Sequence, residues 1–365
     1  MVVNLTTDIQ QIKPEEVAKT STMEKINNFL LKFSRVPATE RLFFVQHLGV
    51  MLRAGMPLLN AMQTLAKQSA NKRFVNVINE TSQAIEKGKS FTEALKLNAD
   101  IFGELFINMV EAGEVSGKLE SVLDQIYLQM KKQHELVSKI KGALTYPSVV
   151  LFAMTGIGTF MMLVVVPQIT SMLRDFNSQL PFATKILIAV SDFLAKNTIL
   201  AAIIIAVSIY LFVKLVQTTK GKYYFHLVLL NMPIFGKIIK KVNIAKFSRT
   251  VSSLLKTDIM IIKCFQITAN VVGNVHYRAA INDIAEKIKK GTPINEVVAT
   301  HSKLFPPIVI QMIAIGEQTG ELDNILQELA EFYEEEIDDI MENLPSIIEP
   351  VLILILGSAV GGMAI

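Results

Sequence analysis

No charged residue lies between Lys141 and Arg174. Within that gap, "SVVLFAMTGIGTFMMLVVVP" runs from Ser148 to Pro167, 20 residues of almost unbroken apolar character. At about 1.5 Å per residue such a helix spans roughly 30 Å, the thickness of a bilayer core. The pattern therefore predicts a membrane-crossing helix. A second run, "NTILAAIIIAVSIYLFV", covers the 17 residues Asn197–Val213. It is short for a span, but a snorkelling Lys214 would let Leu215 and Val216 extend it. A third run, Pro350–Ile365, has 16 residues. It reads as cut short, unless Ile347 and Ile348 join it with Glu349 at the headgroups.

Elsewhere the apolar positions follow a helical period. Phe74, Val77, Ile78, Thr81 and Ile85 fall on one face. Gly88 is placed to end that helix, and Ser90 to cap the next in a capping box with Glu93. Leu119, Leu123, Ile126, Met130, Val137 and Ile140 mark a long amphipathic helix, and Leu322, Leu326, Leu329, Tyr333 and Ile340 mark another. No segment reads convincingly as a strand. The expected class is an all-α membrane protein.

Two stretches resemble each other: "MVEAGEVSGKLESVL" (109–123) and "MIAIGEQTGELDNIL" (312–326). Both contain Gly-Glu-x-[Ser/Thr]-Gly-x-Leu, and Gly113 and Gly316 are 203 residues apart. The same offset carries Phe44 onto Phe247, Leu52 onto Leu255, Lys87-Gly88 onto Lys290-Gly291, Phe102 onto Phe305 and Pro147 onto Pro350. No gap is needed. The chain thus reads as a duplicated helical domain, each copy followed by a membrane helix entered at a proline, Pro147 or Pro350. The middle span returns the chain to the first side. The expected boundaries are a polar, poorly ordered tail over 1–38, a helical domain over 39–146 and a span over 147–168. An external loop with an amphipathic helix follows over 169–196, then a span over 197–216, a second helical domain over 217–346 and a last span over 347–365.

Charge orients this arrangement. Lys131, Lys132, Lys139 and Lys141 precede the first span, and Lys214, Lys220 and Lys222 follow the second, against Arg174, Lys185 and Lys196 in the loop between. By the positive-inside rule the two helical domains and the N-terminus are cytoplasmic. Hydrophobic residues make up 51% of the chain and mean hydropathy is +0.40, in keeping with membrane residence. There is no Trp to anchor the spans at the interface. The balance of 36 basic to 33 acidic residues gives no argument for nucleic acid. One cysteine, Cys264, excludes a disulfide framework.

Catalytic chemistry finds little support. "GKS" at Gly88–Ser90 lacks the earlier glycine of a phosphate-binding loop, since that position is Gln83, and no strand precedes it. Gly156 and Gly158 lie within a span and suit close helix packing. The five histidines, His47, His134, His226, His276 and His301, show no metal-ligand spacing. The reading is a protein without catalytic residues, cofactor or metal. The acidic run "EFYEEEIDDIMEN" raises a different possibility: Glu334, Glu335 and Glu342 fall at the repeat offset on Lys131, Lys132 and Lys139. Those faces suit solvent, docking between opposite charges, or a cation on the acidic helix. The twin motifs leave two readings open as well. In the structural one, Gly113 and Gly117 end a helix, Ser116 caps the long helix starting near Leu119, and Glu114 lies by its positive end; Gly316, Glu317, Thr319 and Gly320 repeat this. In the other, the corner contacts a partner.

The motifs "LRAGMPLLNAM" (52–62), "KGKSFTEAL" (87–95), "KIKGALTYPSVVL" (139–151), "LPFATKILIAVSDFL" (180–194), "FPPIVIQMIAIGEQTGELDNIL" (305–326) and "IIEPVLILILGSAVGGMAI" (347–365), with the first Gly-Glu motif, carry a family resemblance. From about Arg41 to Ile365 the chain resembles the PilC/GspF family, the inner-membrane platform proteins of type IV pilus and type II secretion machines. The resemblance implies two cytoplasmic helical-bundle domains, three membrane helices and homo-oligomers. It also implies a non-enzymatic platform in the bacterial inner membrane. This platform would link a cytoplasmic hexameric ATPase to pilin or pseudopilin subunits, alongside other inner-membrane assembly proteins. One departure is notable: "LKTDIMIIKCF" (255–265) replaces the turn that Ala54, Gly55 and Pro57 form in the first copy. A pilus is the favoured setting, a secretion system the alternative. A transporter or channel is more remote, because three spans without an internal charge offer little to coordinate a solute.

Overall fold

The computed structural model describes residues 35–175 and 182–364. The expected polar tail before residue 35, and residues 176–181 of the loop, lie outside the described residues. Helices make up the described chain, and no strand occurs among those residues. The chain divides into two compact units between Met130 and Lys131.

The first unit is a bundle of short helices: α1 (Ala38–Arg53), α2 (Leu58–Gln68), α3 (Lys72–Glu86), α4 (Phe91–Lys96), α5 (Ala99–Phe102) and α6 (Glu104–Ser116). The start of α7 (Leu119–Phe160) completes it. Local signals set the ends. Asn71 caps α3, accepting from the Phe74 N–H at 3.0 Å. Ser90 and Glu93 form the expected capping box on α4. The apolar faces converge on Phe44, Phe74 and Phe102, whose ring centroids lie 5.4–6.2 Å apart. Leu48, Ile78, Leu95 and Leu123 close around them, all fully buried.

The second unit holds the rest of α7, a π-helical turn (Met161–Val165), α8 (Val166–Asp175), α9 (Phe182–Lys196), α10 (Thr198–Gln217) and α11 (Thr219–Asn231). It also holds a second bundle: α12 (Phe235–Leu255), α13 (Ile261–Val271), α14 (Val275–Lys289), α15 (Ile294–Ala299), α16 (Pro307–Thr319) and α17 (Leu322–Ala364). Helices α13, α14, α15 and α16 begin and end at the repeat offset from α2, α3, α4 and α6. Details follow suit. Asn274 caps α14 as Asn71 caps α3. Phe247, Tyr277 and Phe305 replace the first aromatic cluster, and the buried Tyr277 hydroxyl donates to the Leu304 carbonyl at 2.7 Å. Arg53 pairs with Asp124, and at the equivalent positions Lys256 bonds Gln327.

The departure at 255–265 leaves the backbone of the turn unchanged. Gly55 takes φ +80°, and its counterpart Asp258 takes φ +60°. The Met56 N–H donates to the Met51 carbonyl, and the Ile259 N–H to Leu254 in the same way. Aspartate is among the few side chains that visit this left-handed region.

Among the described residues, three helices are long and apolar enough to cross a membrane: Leu119–Met172, Thr198–Gln217 and Leu322–Ser358. Only 6%, 6% and 17% of their most apolar stretches is buried within the protein, so the apolar side chains need another cover. Neither proline begins a helix. Pro147 lies inside α7, and Pro345 and Pro350 lie inside α17. Proline costs a helix one backbone hydrogen bond, here the one to the Ala143 carbonyl four residues before Pro147. On either side of it Thr145 donates to the Lys141 carbonyl at 3.0 Å and Ser148 to that of Leu144 at 2.7 Å, within a helix that continues unbroken. At the π turn the Ser191 hydroxyl of α9 donates to the Met162 carbonyl at 2.5 Å.

Candidate functional site

The twin motif forms the corner between α6 and α7, and again between α16 and α17. Gly117 takes φ +69° and Gly320 φ +75°, the left-handed conformation in which glycine commonly ends a helix. In the first corner the Gly117 N–H donates to the Glu114 carbonyl and the Lys118 N–H to that of Gly113, at 3.4 and 2.9 Å. Gly113 and Gly316 serve a different need. A Cβ on Gly113 would come within 3.0 Å of the Val122 side chain, and one on Gly316 within 2.9 Å of the Leu322 backbone. Each missing side chain lets the next helix fold tightly back.

The glutamate between these glycines reaches across the bundle. The Glu114 carboxylate accepts the Phe91 N–H at 2.7 Å, the Thr92 N–H at 3.0 Å and the Thr92 hydroxyl at 2.6 Å. The Glu93 N–H donates to Ser90 Oγ at 3.1 Å. Together, Glu114 and Ser90 satisfy the first three backbone donors of α4, which have no partner within their own helix. Glu317 holds the first two donors of α15, accepting from Ile294 and Asn295 at 2.8 and 3.1 Å. Partial burial alone would push the Glu114 carboxyl up. The Thr92 hydroxyl and the two backbone donors outweigh it and hold the group below its ordinary value. A carboxylate so engaged is a weak base.

Two details differ from the sequence reading. Ser116 does not cap the long helix. It ends α6, and its hydroxyl donates back to the Ala112 carbonyl at 2.7 Å. Thr319 likewise donates to Ile315 at 2.9 Å. Glu114 serves the start of α4 instead of α7, whose first helical bond runs from the Val122 N–H to the Lys118 carbonyl. The signal was present in the sequence: both glutamates stand 23 residues beyond the first residue of the helix they hold. The outward tip of each corner is the exposed run 115–118 or 318–321. Val115 is 86% exposed, and Gln318 is exposed at the equivalent position.

The charged faces also find partners. Within the second unit, Lys139 pairs with Asp338, whose hydrogen bond raises the lysine pKa. Lys132, Lys139, Glu331, Glu334, Glu335 and Asp338 line a cleft of about 190 Å³. Lys131 turns to Glu135 on its own helix at 3.9 Å, and Glu342 adds to the field on Lys139. The sequence reading missed the strongest contact. Arg249 on α12, 7% exposed, holds Glu334 through two bonds of 2.9 and 2.7 Å and lies 3.5 Å from Glu331. Lys241 takes Glu336 at 2.9 Å. In the first copy the positions of Arg249 and Glu334 are Gln46 and Lys131, so the repeat gave no hint of this pair. Among the described residues, no group of three or more His, Cys, Asp or Glu side chains is placed to hold a metal ion.

The profile of a known family, type II secretion system protein F, matches residues 44–167 and again 247–365. The two matches begin one repeat offset apart, and each contains one corner. The chain belongs to the type II secretion system protein F family. Its relatives bear two kinds of name. It is 37% identical to the type IV pilus assembly protein PilC of Thermus thermophilus, over 90% of this chain and 82% of that protein. It is 32% identical to the protein of the same name from Myxococcus xanthus, over 97% and 84%. The type II secretion system protein F of Aeromonas hydrophila is 27% identical over 96% and 91%. The family thus joins the pilus-assembly and secretion proteins that the motifs suggested. The two matches together confirm the duplication as two family domains in one chain.

Proposed function

We propose that the chain is a platform protein of type IV pilus assembly, seated in the bacterial inner membrane. It would transmit work from a cytoplasmic hexameric ATPase to pilin subunits entering or leaving the fibre. The observation that carries this reading is 37% identity, across nine-tenths of the chain, to a protein named for pilus assembly. The relatives named for secretion lie at 27% and 26%, while those named for pilus or fimbrial assembly run from 37% down to 27%. A platform needs rigid domains on membrane stems, and each family domain here continues into a long apolar helix. Neither twin glutamate is free for catalysis: each carboxylate is committed to a helix start, so the reading assigns this protein no reaction.

Deleting the gene tests the setting. Loss of surface pili with exoprotein secretion unchanged is the expected result; the reverse would move the protein to a secretion system. Photo-crosslinkers at Val115 and Gln318 test the partner. They should capture the ATPase, and silence from both positions in piliated cells would count against motor coupling. Solute flux through the purified protein in liposomes would overturn the platform reading in favour of a channel.

A further inference from the structure

Helix α11 carries an apolar stripe whose cover the bundle does not supply. Only Thr218 separates it from the span α10. The corner is fixed: the Thr218 hydroxyl donates to the Leu215 carbonyl at 2.7 Å and accepts the Gly221 N–H at 3.0 Å. A Cβ on Gly221 would overlap the Leu215 carbonyl oxygen. The chain then stays close to the span. The Phe225 ring lies 6.4 Å from that of Phe212, which belongs to the apolar run of α10. The second turn of α11 is therefore level with the membrane-facing residues of α10 and not carried away from them.

One side of α11 is anchored to its own unit. The His226 ring accepts the Val275 N–H at 3.1 Å, the His276 ring bonds the Tyr223 carbonyl at 3.0 Å, and Leu230 is buried. The other side presents Lys220, Tyr224, Leu227 and Val228 at helical spacing, with Tyr224 65% and Val228 60% exposed. Its electrostatic setting is one-sided. No Asp or Glu occurs between Asp192 and Asp258, whereas Lys214, Lys220 and Lys222 cluster at this corner. A tyrosine with aliphatic neighbours and lysines nearby suits the boundary between headgroups and acyl chains. A second copy could meet the lysines with the acidic run of α17, but Glu331, Glu334, Glu336 and Asp338 of that run are already paired within their own chain; an anionic leaflet meets the lysines everywhere.

We propose that α11 is an interfacial helix that seats Tyr224, Leu227 and Val228 in an anionic lipid leaflet, which would fix the second domain against the membrane surface. The proposal rests on α10 crossing the bilayer, not on the pilus reading. The chain has no tryptophan, so single substitutions give clean reporters. Full-length Tyr224→Trp and Val228→Trp proteins, with Ile204→Trp in α10 and Val115→Trp as references, would be reconstituted in phosphatidylcholine–phosphatidylglycerol vesicles. Seated about 5–10 Å into the boundary, the α11 reporters should lose roughly half their emission to bromine-labelled acyl chains and resist aqueous iodide. Val115→Trp should respond to iodide alone. If the α11 reporters respond only to iodide, or to neither quencher because protein covers them, the proposal falls. If Ile204→Trp escapes the brominated lipid, the span itself is overturned. The added substitution Lys220→Glu with Lys222→Glu should weaken bromolipid quenching of Tyr224→Trp. Equal quenching with and without it would overturn the anionic part.

Discussion

At the scale of single residues, the twin glutamates and glycines do separable work. Glu114→Ala leaves two backbone donors and a hydroxyl without their acceptor. Hydrogen bonds to a charged group contribute about 1.5–3 kcal/mol, and the site is only partly buried, so a loss of roughly 1–2 kcal/mol is expected. Glu317→Ala should cost at least as much, because the N-cap residue Pro293 makes no side-chain cap on α15. Thermal unfolding of the full chain in detergent would measure both. The pH dependence has a definite sign. Glu114 is held below its ordinary value of 4.5, so its contribution is complete above that pH and fades as pH falls through the lower, folded value. The stability gap between the native protein and Glu114→Gln should therefore narrow below about pH 4.5. A gap that stayed constant to pH 3 would show that ionisation is not what the site rewards. The glycines predict a second ranking. Gly117→Ala forces a side chain into left-handed backbone at about 1–2 kcal/mol, and Gly117→Asn should cost less. Gly316→Ala drives a Cβ against the Leu322 backbone, and overpacking of that kind costs roughly 1–3 kcal/mol.

At the scale of elements, the sequence showed the helices better than their partners. Periodicity, Gly88 and the Ser90–Glu93 box marked local ends that the structure reproduces, because capping acts within a few residues. The prolines misled for a related reason. Pro147 and Pro350 read as the points where membrane helices begin, yet α7 and α17 run through them, since a helix of 42 or 43 residues tolerates the loss of one bond. The Glu114–α4 contact spans 22–23 residues and the Arg249–Glu334 pair spans 85, distances at which periodicity is silent. That pair ties α12 to α17 and is buried enough to matter in one direction. Arg249→Met alone should cost about 3–5 kcal/mol, because it removes the buried partner of the Glu334 carboxylate. Arg249→Met combined with Glu334→Leu should recover most of the loss. A double-mutant cycle by chemical unfolding checks this. Additive losses would mean that the two side chains act independently.

At the scale of the whole molecule, two family domains repeat one backbone design while their surfaces diverge. The turn at Asp258, the aromatic clusters and both glutamate-held helices are kept. The charge on the long helices is reversed. What a platform shows its partners must therefore lie in the surface, and at the corners that surface is the exposed run 115–118, with Val115 its one large apolar side chain, and the equivalent run 318–321. This separates two roles that one motif could hide. Glu114 and Gly117 serve the fold, so their loss should lower the amount of protein along with piliation. Val115 is 86% exposed, and a single exposed apolar residue contributes little to stability. If the first corner meets the assembly machinery, Val115→Glu should leave abundance and thermal midpoint unchanged yet sharply reduce surface pili. Quantitative immunoblots beside pilus shearing would read both. Normal piliation in Val115→Glu cells would exclude Val115 as the contact and send the search to Lys118 and the charged helix faces.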